Sequence, residues 1–366
     1  MVEHRLRRLA ERQRAAGIDC VALMPGPNMQ YMGGLTLFMS ERPIVAFFFL
    51  DRRPALLVPA LERGRAEAMA GPGVDLYSYT DEEGAAVGFA RVGEALRLAG
   101  QRIAVEYLHM RVLELRALEA VAPGAQFVAL EQALPGLRII KDQDEVGSMR
   151  KAIAITEDAL GALLSRPLAG LSEREIAGRL AQEFMAAGAQ RVGFIIVVAG
   201  PNGADPHAGP SDRPVQAGDL ITIDCGVTHD GYPSDITRTF AVGETSPQLK
   251  RIYDVVRRAN EAGTLVTRPG IEAQEVDRAA RRVIADAGYG KYFFHRTGHG
   301  LGLEGHEPPY MVEGNTERLE PGMVFTVEPG VYIPGVGGAR VEDNLVVTQN
   351  GFECLTRFPR ELMVIS

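Results

Sequence analysis

The stretch that decides this fold is Ile221-Thr-Ile-Asp-Cys-Gly-Val-Thr-His-Asp-Gly-Tyr-Pro-Ser-Asp-Ile-Thr-Arg-Thr-Phe240. It is typical of a β-hairpin, because Asp230-Gly231 is a turn signal between two apolar runs. It also contains Asp224 and Asp235, and aspartate is depleted in strands and costly to bury without a partner. If the turn has an even length, both carboxylates lie on one face as diagonal cross-strand neighbours. Two interpretations stay open here: turn or surface carboxylates, or two ligands of one cation.

Length and composition limit the classes of protein to consider. A chain of 366 residues is long enough for two or three domains with sizeable cores. Its 23% charged and 46% hydrophobic residues are typical of an ordinary globular protein. The formal net charge of -8 argues against a nucleic-acid or anionic-membrane partner, since either favours a basic patch.

Targeting and redox signals favour the cytoplasm. The N-terminal opening lacks the apolar core of a signal peptide, and no apolar run approaches the length of a membrane span. Cys20, Cys225 and Cys354 are too few and too far apart for a disulfide framework. Strand alternation turns Cys225 to the face opposite Asp224, where we expect a small buried hydrophobe.

Strand and helix patterns alternate in the first part of the chain. Helices are predicted at 2–16, 61–70, 84–98 and 111–121, and strands at 19–24, 44–50, 55–58 and 102–106. This order predicts an α/β domain over residues 1–136. The boundary is placed where an apolar strand runs into the charged helix start Lys141-Asp-Gln-Asp-Glu145.

The second domain, residues 137–366, repeats one order of elements. Helices are predicted at 142–164 and 172–187, strands at 193–199, 219–228 and 234–242, helices again at 247–262 and 271–287, and strands from 292 onward. Ser172-Glu-Arg-Glu175 is a capping box at the start of its second helix. The doubled order predicts an α+β domain whose two similar halves pack around one site.

A second pair of carboxylates mirrors the two aspartates. Glu328 and Glu342 each interrupt an apolar strand pattern, and a connection rich in glycine and proline separates them. An odd-length loop would set them opposite each other in an antiparallel pair. Four carboxylates without cations repel each other and take up protons, whereas two divalent ions neutralise them.

Histidines complete the candidate site. His207, His295, His299 and His306 lie in or near glycine-rich turns, and the glycines beside His299 predict a close-approaching, metal-bound loop. A single histidine is more often an ordinary polar residue than a metal ligand. Three histidines within twelve positions, together with four carboxylates, favour metal binding. His229 is interpreted as a turn residue.

The donor set predicts the metal and the reaction. Carboxylates with one imidazole suit Mn²⁺ or Co²⁺, with Zn²⁺ as a third candidate. Two such ions, about 3.5 Å apart, would hold a bridging hydroxide as nucleophile and polarise a scissile carbonyl. The residues therefore predict metal-dependent hydrolysis.

Four motifs resemble those of the pita-bread metallopeptidases, the group of methionine aminopeptidase, aminopeptidase P and prolidase, and they occur in the family's order. The motifs are Ser234-Asp-Ile-Thr-Arg-Thr-Phe240, Gly298-His-Gly-Leu-Gly302, Val327-Glu-Pro-Gly330 and Arg340-Val-Glu-Asp-Asn344. The resemblance covers residues 138–366. The preceding domain resembles the creatinase-type N-terminal domain, which in this family contributes to dimer contacts and to the rim of the neighbouring site. The implied fold is an α/β creatinase-like domain followed by an α+β pita-bread domain with pseudo-twofold halves.

The resemblance also implies a role for each site residue. The implied metal ligands are Asp224, Asp235, His299, Glu328 and Glu342. Of these, Asp235 and Glu342 bridge the two ions, and Glu328 also shuttles a proton. His207 and His306 contact the substrate and stabilise the tetrahedral intermediate. His295 and Arg340 line the prolyl side of the pocket.

The implied activity is cleavage of the Xaa-Pro bond by a prolidase-like dipeptidase, acting as a homodimer. A prolyl amide has no N–H and a fixed φ, so its recognition needs a dedicated pocket, for which Phe194, Tyr232 and Tyr310 are candidates. Three alternatives remain open. They are an aminopeptidase P acting on longer peptides, a hydrolase of non-peptide amides, and a non-catalytic binding protein on the same fold.

Overall fold

The computed structural model describes residues 2–366 and divides into two compact units, Met1–Arg138 and Ile139–Ser366. The sequence places the boundary after residue 136. Among the described residues, no helix combines the length and the apolar character that a membrane crossing requires.

The N-terminal unit is a six-stranded mixed sheet with helices. Its elements are α1 (Val2–Ala16), β1 (Cys20–Leu23), α2 (Pro27–Gly33), β2 (Val45–Phe49), β3 (Ala55–Pro59), α3 (Arg63–Ala70), β4 (Asp75–Tyr79), α4 (Ala85–Ala95), β5 (Arg102–Val105), α5 (Val112–Val121), β6 (Gln126–Ala129) and α6 (Leu130–Ala133). The strand order is β4-β3-β2-β1-β5-β6, with β1, β2 and β3 antiparallel and the outer pairs parallel. The predicted α/β layer is confirmed.

Helix α2 and strands β4 and β6 were not predicted from the sequence. The run Pro25-Gly26-Pro27 resembles the end of a strand, but Pro27 is the first residue of α2. Proline fits there because the first helical N–H has no intrahelical acceptor and φ is already helical. The same Pro-Gly-Pro run is therefore compatible with a turn and with the start of a helix.

The C-terminal unit follows the predicted doubled order. Its elements are α7 (Gln143–Leu164), α8 (Glu173–Ala186), β7 (Arg191–Ala199), β8 (Leu220–His229), β9 (Tyr232–Pro233), β10 (Ile236–Val242), α9 (Pro247–Val266), α10 (Ala273–Asp286), β11 (Gly298–Gly300), β12 (Glu307–Met311), β13 (Val324–Val327), β14 (Gly330–Ile333), β15 (Gly337–Arg340), β16 (Asp343–Thr348), β17 (Gly351–Cys354) and β18 (Val364–Ile365). Ser172 and Glu175 form the predicted capping box at α8, and Asp142 and Glu145 form another at α7.

Each half of this unit pairs two helices with a five-stranded sheet. In the first half the sheet order is β18-β10-β8-β7, with β9 added to β8, and in the second half it is β12-β11-β13-β16-β17. A separate ladder joins β14 to β15. The predicted α+β pita-bread arrangement with two similar halves is confirmed.

Cys225 packs in the apolar core of the first half. Its side chain is fully buried among residues such as Ile223 and Ile236. Burial raises the pKa of its thiol well above the usual range, and the charge of Asp224 adds to the shift. The prediction of a small buried hydrophobe is confirmed, and Cys20 and Cys354 are also free thiols.

Candidate metal centre

The hairpin of β8 and β10 holds its two aspartates in the predicted arrangement. Asp230 and Gly231 form a two-residue turn with φ of 49° and 85°, the left-handed conformation that this tight connection needs. Thr237 pairs with Asp224 across the ladder. Asp235, two positions before Thr237, is therefore the diagonal cross-strand neighbour of Asp224. Both carboxylates therefore lie on one face of the hairpin, as predicted from the sequence.

Glu328 and Glu342 lie opposite each other, as expected, but not within strands. The β13–β16 ladder ends at Val327 and Asp343, and the β14–β15 ladder continues in the same register beyond a gap. Both glutamates occupy that gap, where the chain passes from one ladder to the other. Their placement inside strands was therefore wrong, although the register that sets them opposite each other was right.

His299 lies on the short strand β11 rather than in a metal-bound loop, which corrects the sequence interpretation. A Cβ on Gly298 would lie 1.8 Å from the carbonyl oxygen of Thr326, and a Cβ on Gly300 would lie 2.2 Å from that of Pro308. Close strand packing therefore requires these glycines. Nδ1 of His299 donates to the Gly300 carbonyl at 3.1 Å, so in the neutral ring Nε2 is the free ligand atom.

The five predicted ligands form one cluster. Nε2 of His299 lies 3.2 Å from Oε1 of Glu328 and 3.7 Å from Oδ2 of Asp235. Ligand atoms lie within 4.8 Å of one another in the group Asp224, Asp235 and Glu342, and again in the group His299, Glu328 and Glu342. The third group contains Asp235, His299 and His306. Asp235 and Glu342 are thus the carboxylates shared between groups.

The donor set of this cluster fits divalent cations. Asp224, Asp235 and Glu342 are buried, and Oδ1 of Asp224 has no hydrogen-bond partner among the described residues. A buried carboxylate oxygen without a donor is costly unless positive charge reaches it. Four carboxylates with one imidazole are the ligands that harder divalent ions prefer.

The electrostatics of the cluster also favour cations. Burial raises the pKa of Asp235 well above its usual range, and the charge of Asp224 adds to the shift. Burial also raises the pKa of Glu342, with the charges of Asp235 and Glu328 as further causes. Burial acts in the same direction on Glu328, but the hydrogen bond and charge of His299 outweigh it and lower this pKa to about 2. Without cations, burial and the neighbouring negative charges favour the protonated forms of Asp235 and Glu342.

Arg340 is buried and holds one of the candidate ligands. Its Nη2 donates to Oδ2 of Asp224 at 2.5 Å, its Nη1 to the Tyr332 hydroxyl at 2.9 Å, and its Nε to Oγ1 of Thr237 at 3.2 Å. The Thr237 hydroxyl in turn donates to Oε2 of Glu342 at 2.6 Å. Arg340 and Thr237 therefore orient Asp224 on β8 and Glu342 in the gap between β15 and β16.

All nine predicted site residues line one cavity of about 610 Å³. Phe194 also lines it, whereas Tyr232 donates its hydroxyl to Glu145 at 2.7 Å and Tyr310 lies beneath the guanidinium of Arg296. The cavity therefore combines an acidic cluster, several imidazoles and an aromatic wall.

The histidines of the cavity have defined proton positions. The ring of His306 lies 3.8 Å from that of His299, and its Nδ1 accepts from Nη2 of Arg296 at 3.1 Å. Burial, with the charge of His299 as the next cause, lowers the pKa of His306 to about 4, so the ring is neutral and Nε2 carries its proton. Nδ1 of His295 donates to the Arg296 carbonyl, which leaves Nε2 to accept from the Tyr332 hydroxyl at 2.9 Å.

Three residues at the site were not identified from the sequence: Thr237, Tyr332 and Arg296. Thr237 follows Asp235 by two positions, so strand alternation was the signal that would have identified it. Tyr332 in an apolar strand pattern is ordinary and carries no signal. Arg296 adjoins His295, but only the folded structure places its guanidinium in the cavity.

Two family models match the chain. The model of metallopeptidase family M24 matches residues 147–349, and the model of the creatinase/prolidase N-terminal domain matches residues 5–140. The Xaa-Pro dipeptidase of Lactobacillus delbrueckii subsp. lactis is 36% identical, over 95% of this chain and 95% of its own length. The Xaa-Pro dipeptidase of Pyrococcus horikoshii is 33% identical, over 99% of each.

Solved structures resemble the whole chain. Dipeptidase PepE from Mycobacterium ulcerans superposes with a TM-score of 0.93 at 38% identity, over 100% of this chain and 98% of its own. The prolidase from Thermococcus sibiricus has a TM-score of 0.93 at 33% identity, over 100% and 99%. The X-Pro aminopeptidase from Thermotoga maritima has a TM-score of 0.87 at 30% identity, over 98% and 99%.

Proposed function

This chain belongs to metallopeptidase family M24, and from that premise we propose that it is an Xaa-Pro dipeptidase that uses two divalent metal ions. The observation that carries the proposal is the complete donor set around one cavity: four carboxylates and one imidazole, with a buried carboxylate oxygen that lacks a donor. Relatives named Xaa-Pro dipeptidase match nearly the whole chain, which supports the same substrate class.

The proposed ligands are the five residues of the cluster, Asp224, Asp235, His299, Glu328 and Glu342. Asp235 and Glu342 are assigned as the shared ligands, because they are the two carboxylates that each belong to two groups of close ligand atoms. His299 also belongs to two groups, but Nε2 is its one free ligand atom, whereas a carboxylate has two oxygens. When bound, the ions activate water and polarise the scissile carbonyl. The carboxylate-rich donor set favours Mn²⁺ or Co²⁺, with Zn²⁺ as a third candidate.

Glu328 is the proposed proton carrier. Nearby positive charge keeps the pKa of Glu328 low: that of His299 in the metal-free site, and that of the ions once His299 binds them through Nε2. Glu328 is therefore a carboxylate near neutral pH and can accept the proton of the attacking water. The same group then delivers that proton to the proline nitrogen as the amide bond breaks. Its side chain is only partly exposed, so competing bulk water has limited access.

His306 and His207 are the proposed partners of the substrate carbonyl oxygen. The Nε2–H of His306 is a donor, since its Nδ1 already accepts from Arg296. His207 is exposed at the cavity and is available to a bound substrate. A donor aimed at the developing negative charge stabilises the transition state more than the ground state.

The proline ring is proposed to lie on the side of the cavity lined by His295 and Arg340, with Phe194 and Ile196 as apolar wall. His295 is neutral in this role, because burial lowers its pKa. Arg340 contributes there mainly by orienting Asp224, with which it forms an ion pair.

Aminopeptidase P activity on longer peptides is the second candidate, and the similarity to the X-Pro aminopeptidase from Thermotoga maritima favours it. The two activities differ in whether chain beyond proline is accepted, not in the metal ligands. The intact donor set argues against a non-catalytic binding protein. Relatives named Xaa-Pro dipeptidase argue against a non-peptide amide as the substrate.

Assembly and location complete the proposal. We expect a homodimer in which the N-terminal unit supplies dimer contacts and part of the rim of the neighbouring subunit's site, and sedimentation equilibrium tests the dimer. The three free thiols support a cytoplasmic location, where cysteines stay reduced.

One experiment tests the proposed activity. The protein is stripped with a chelator, reloaded with Mn²⁺ or Co²⁺, and assayed on Ala-Pro and Ala-Pro-Ala. We expect metal-dependent hydrolysis of Ala-Pro and much slower hydrolysis of the tripeptide. Equal rates on both would assign the chain to aminopeptidase P, and no turnover of either after reloading would contradict the proposal.

A further inference from the structure

Asn260 is a polar side chain on the buried face of α9. It is fully buried, next to core residues such as Val256 and Ala259 of the same helix. Its Nδ2 donates to the carbonyl oxygen of Val327 at 2.8 Å and to that of Val341 at 3.3 Å. Both acceptors are carbonyls, so the nitrogen of the amide must face them. One side chain therefore connects two separate segments of the second half.

The two carbonyls belong to the residues that directly precede the candidate ligands Glu328 and Glu342. Both glutamates lie in the gap where the β13–β16 ladder has ended and the β14–β15 ladder has not begun. A carbonyl shares its rigid peptide plane with the N–H of the following residue. Asn260 therefore fixes the peptide plane at which each glutamate begins.

The other side of each of these peptide planes is held from elsewhere. The N–H of Glu328 donates to the carbonyl of Thr297 at 2.7 Å, and the N–H of Glu342 donates to that of Thr237 at 3.1 Å. Each plane is thus bound by its N–H to a neighbouring segment and by its carbonyl to Asn260. Asn260 is the one member of this arrangement that both glutamates share.

We propose that Asn260 is a positioning residue that sets the separation of Glu328 and Glu342 at the metal centre. The inference rests on the proposed assignment of these glutamates as metal ligands, and it adds a residue that lies outside the cavity. The amide joins the two chains where the ladders are interrupted, so it does there what ladder hydrogen bonds do elsewhere. Its loss is expected to change metal affinity rather than only stability.

The other atom of the amide argues against a purely structural role. Oδ1 of Asn260 is buried and has no hydrogen-bond partner within residues 2–366. A buried acceptor without a donor costs stability, and an apolar side chain of similar volume would avoid that cost. Stabilisation of the core alone therefore does not explain an amide at this position, whereas the placement of two carbonyls does.

The packing of α9 lets this short side chain reach both segments. Gly263 lies one turn after Asn260, and a Cβ on it would lie 3.0 Å from Cγ1 of Val327 and 3.5 Å from Cβ of Ala280. The glycine thus allows the helix backbone to lie directly against the end of β13. An amide on a side chain with only one methylene then spans the remaining distance.

The test separates metal binding from stability. Asn260→Leu removes both donors at similar volume, and Asn260→Asp keeps the shape of the side chain. Thr264→Val is the matched control, since Thr264 lies one turn further on α9, is buried, and has a hydroxyl without a partner in the described chain. Mn²⁺ affinity is measured against a competing chelator, the visible spectrum is recorded with Co²⁺, and urea unfolding is followed without metal.

We expect Asn260→Leu to lower Mn²⁺ affinity roughly 10-fold, the lower end of the range for groups that orient metal ligands. Its Co²⁺ spectrum is expected to differ from that of wild type, because two ligands are displaced. Asn260→Asp loses less affinity, since burial favours the protonated carboxyl, which donates one hydrogen bond instead of two. Thr264→Val is expected to keep the wild-type affinity and spectrum.

Wild-type Mn²⁺ affinity and a wild-type Co²⁺ spectrum in Asn260→Leu would overturn the inference, even if the urea midpoint fell. If Asn260→Leu does not fold, Asn260→Asp decides alone: an affinity reduced about threefold or more supports the inference, and an unchanged affinity refutes it. The proposed function fails separately if metal-loaded wild type does not hydrolyse Ala-Pro, because the affinities are measured without substrate.

Discussion

Thr237→Val removes one hydroxyl that connects the two halves of the candidate metal centre. The side chain is fully buried, and valine replaces it with nearly the same shape. The Thr237 hydroxyl donates to Oε2 of Glu342 at 2.6 Å and accepts from Nε of Arg340 at 3.2 Å. The substitution therefore leaves a shared carboxylate without its donor and a buried guanidinium N–H without its acceptor.

The size of the effect follows from these two contacts. Hydrogen bonds to charged groups contribute about 1.5–3 kcal/mol, so we expect the free energy of unfolding of the metal-free protein to fall by that amount. Groups that orient a metal ligand typically change metal affinity about 10- to 100-fold when removed. We expect a loss of Mn²⁺ affinity in that range, with lower Ala-Pro turnover at limiting metal and recovery at high metal.

The matched control is Thr239→Val, two positions along the same strand. Thr239 is equally buried, and its hydroxyl bonds Thr222 and the Arg340 main chain rather than a candidate ligand. Titration with Mn²⁺ against a competing chelator gives the affinity, and urea unfolding gives the stability. If both valine variants lost stability equally but neither lost metal affinity, the role assigned to Thr237 would be refuted.

Three further predictions address other parts of the protein. Arg238 is buried and donates to Asp343 and to four backbone carbonyls, so Arg238→Met is expected to lower the free energy of unfolding by about 3–5 kcal/mol in guanidinium titrations, and a loss below about 1 kcal/mol would contradict this. Cys225→Ala is expected to keep Ala-Pro turnover near the wild-type value, since the thiol is buried in the core, and complete loss would indicate a thiol mechanism. The raised pKa values of Asp235 and Glu342 favour protons on these carboxylates in the metal-free protein, and metal binding competes with those protons. Mn²⁺ affinity is therefore expected to rise with pH, with protons released on binding, and calorimetric heats that do not depend on the buffer would contradict this.

The hairpin around Asp224 and Asp235 was predictable because strand geometry is strictly periodic. Side chains alternate with a period of two, so the spacing of the aspartates and a two-residue turn determine their relative faces. Helices α7 and α8 were equally predictable from the sequence, since each begins at a capping box. These features depend on residues close together in the chain.

The carboxylates of the candidate site could be identified from the sequence for a different reason. Four carboxylates in apolar surroundings violate the rule against buried unpaired charge, and that violation is visible in the sequence. The backbone conformation at two of these carboxylates could not be predicted from the sequence. Glu328 and Glu342 occupy a gap between ladders, and a change of sheet depends on which strands pair rather than on local pattern.

Long-range contacts account for the remaining differences. The glycines beside His299 allow the backbone of Thr326 and Pro308 to approach closely. No residue near these glycines in the sequence identifies those two neighbours. The ion pair of Arg340 with Asp224 joins residues 116 positions apart. The hydrogen bonds from Asn260 to the segments before Glu328 and Glu342 are likewise a property of the folded chain.

Metal content and activity, measured together, show whether this chain hydrolyses Ala-Pro with two bound metal ions. Stripped protein is titrated with Mn²⁺ or Co²⁺ while bound metal and Ala-Pro hydrolysis are followed in the same samples. The structure predicts that hydrolysis returns as metal binds and reaches its maximum at two ions per chain, and that Asp235→Ala neither binds two ions nor recovers activity. Full hydrolysis without bound metal, or by Asp235→Ala, would contradict the account.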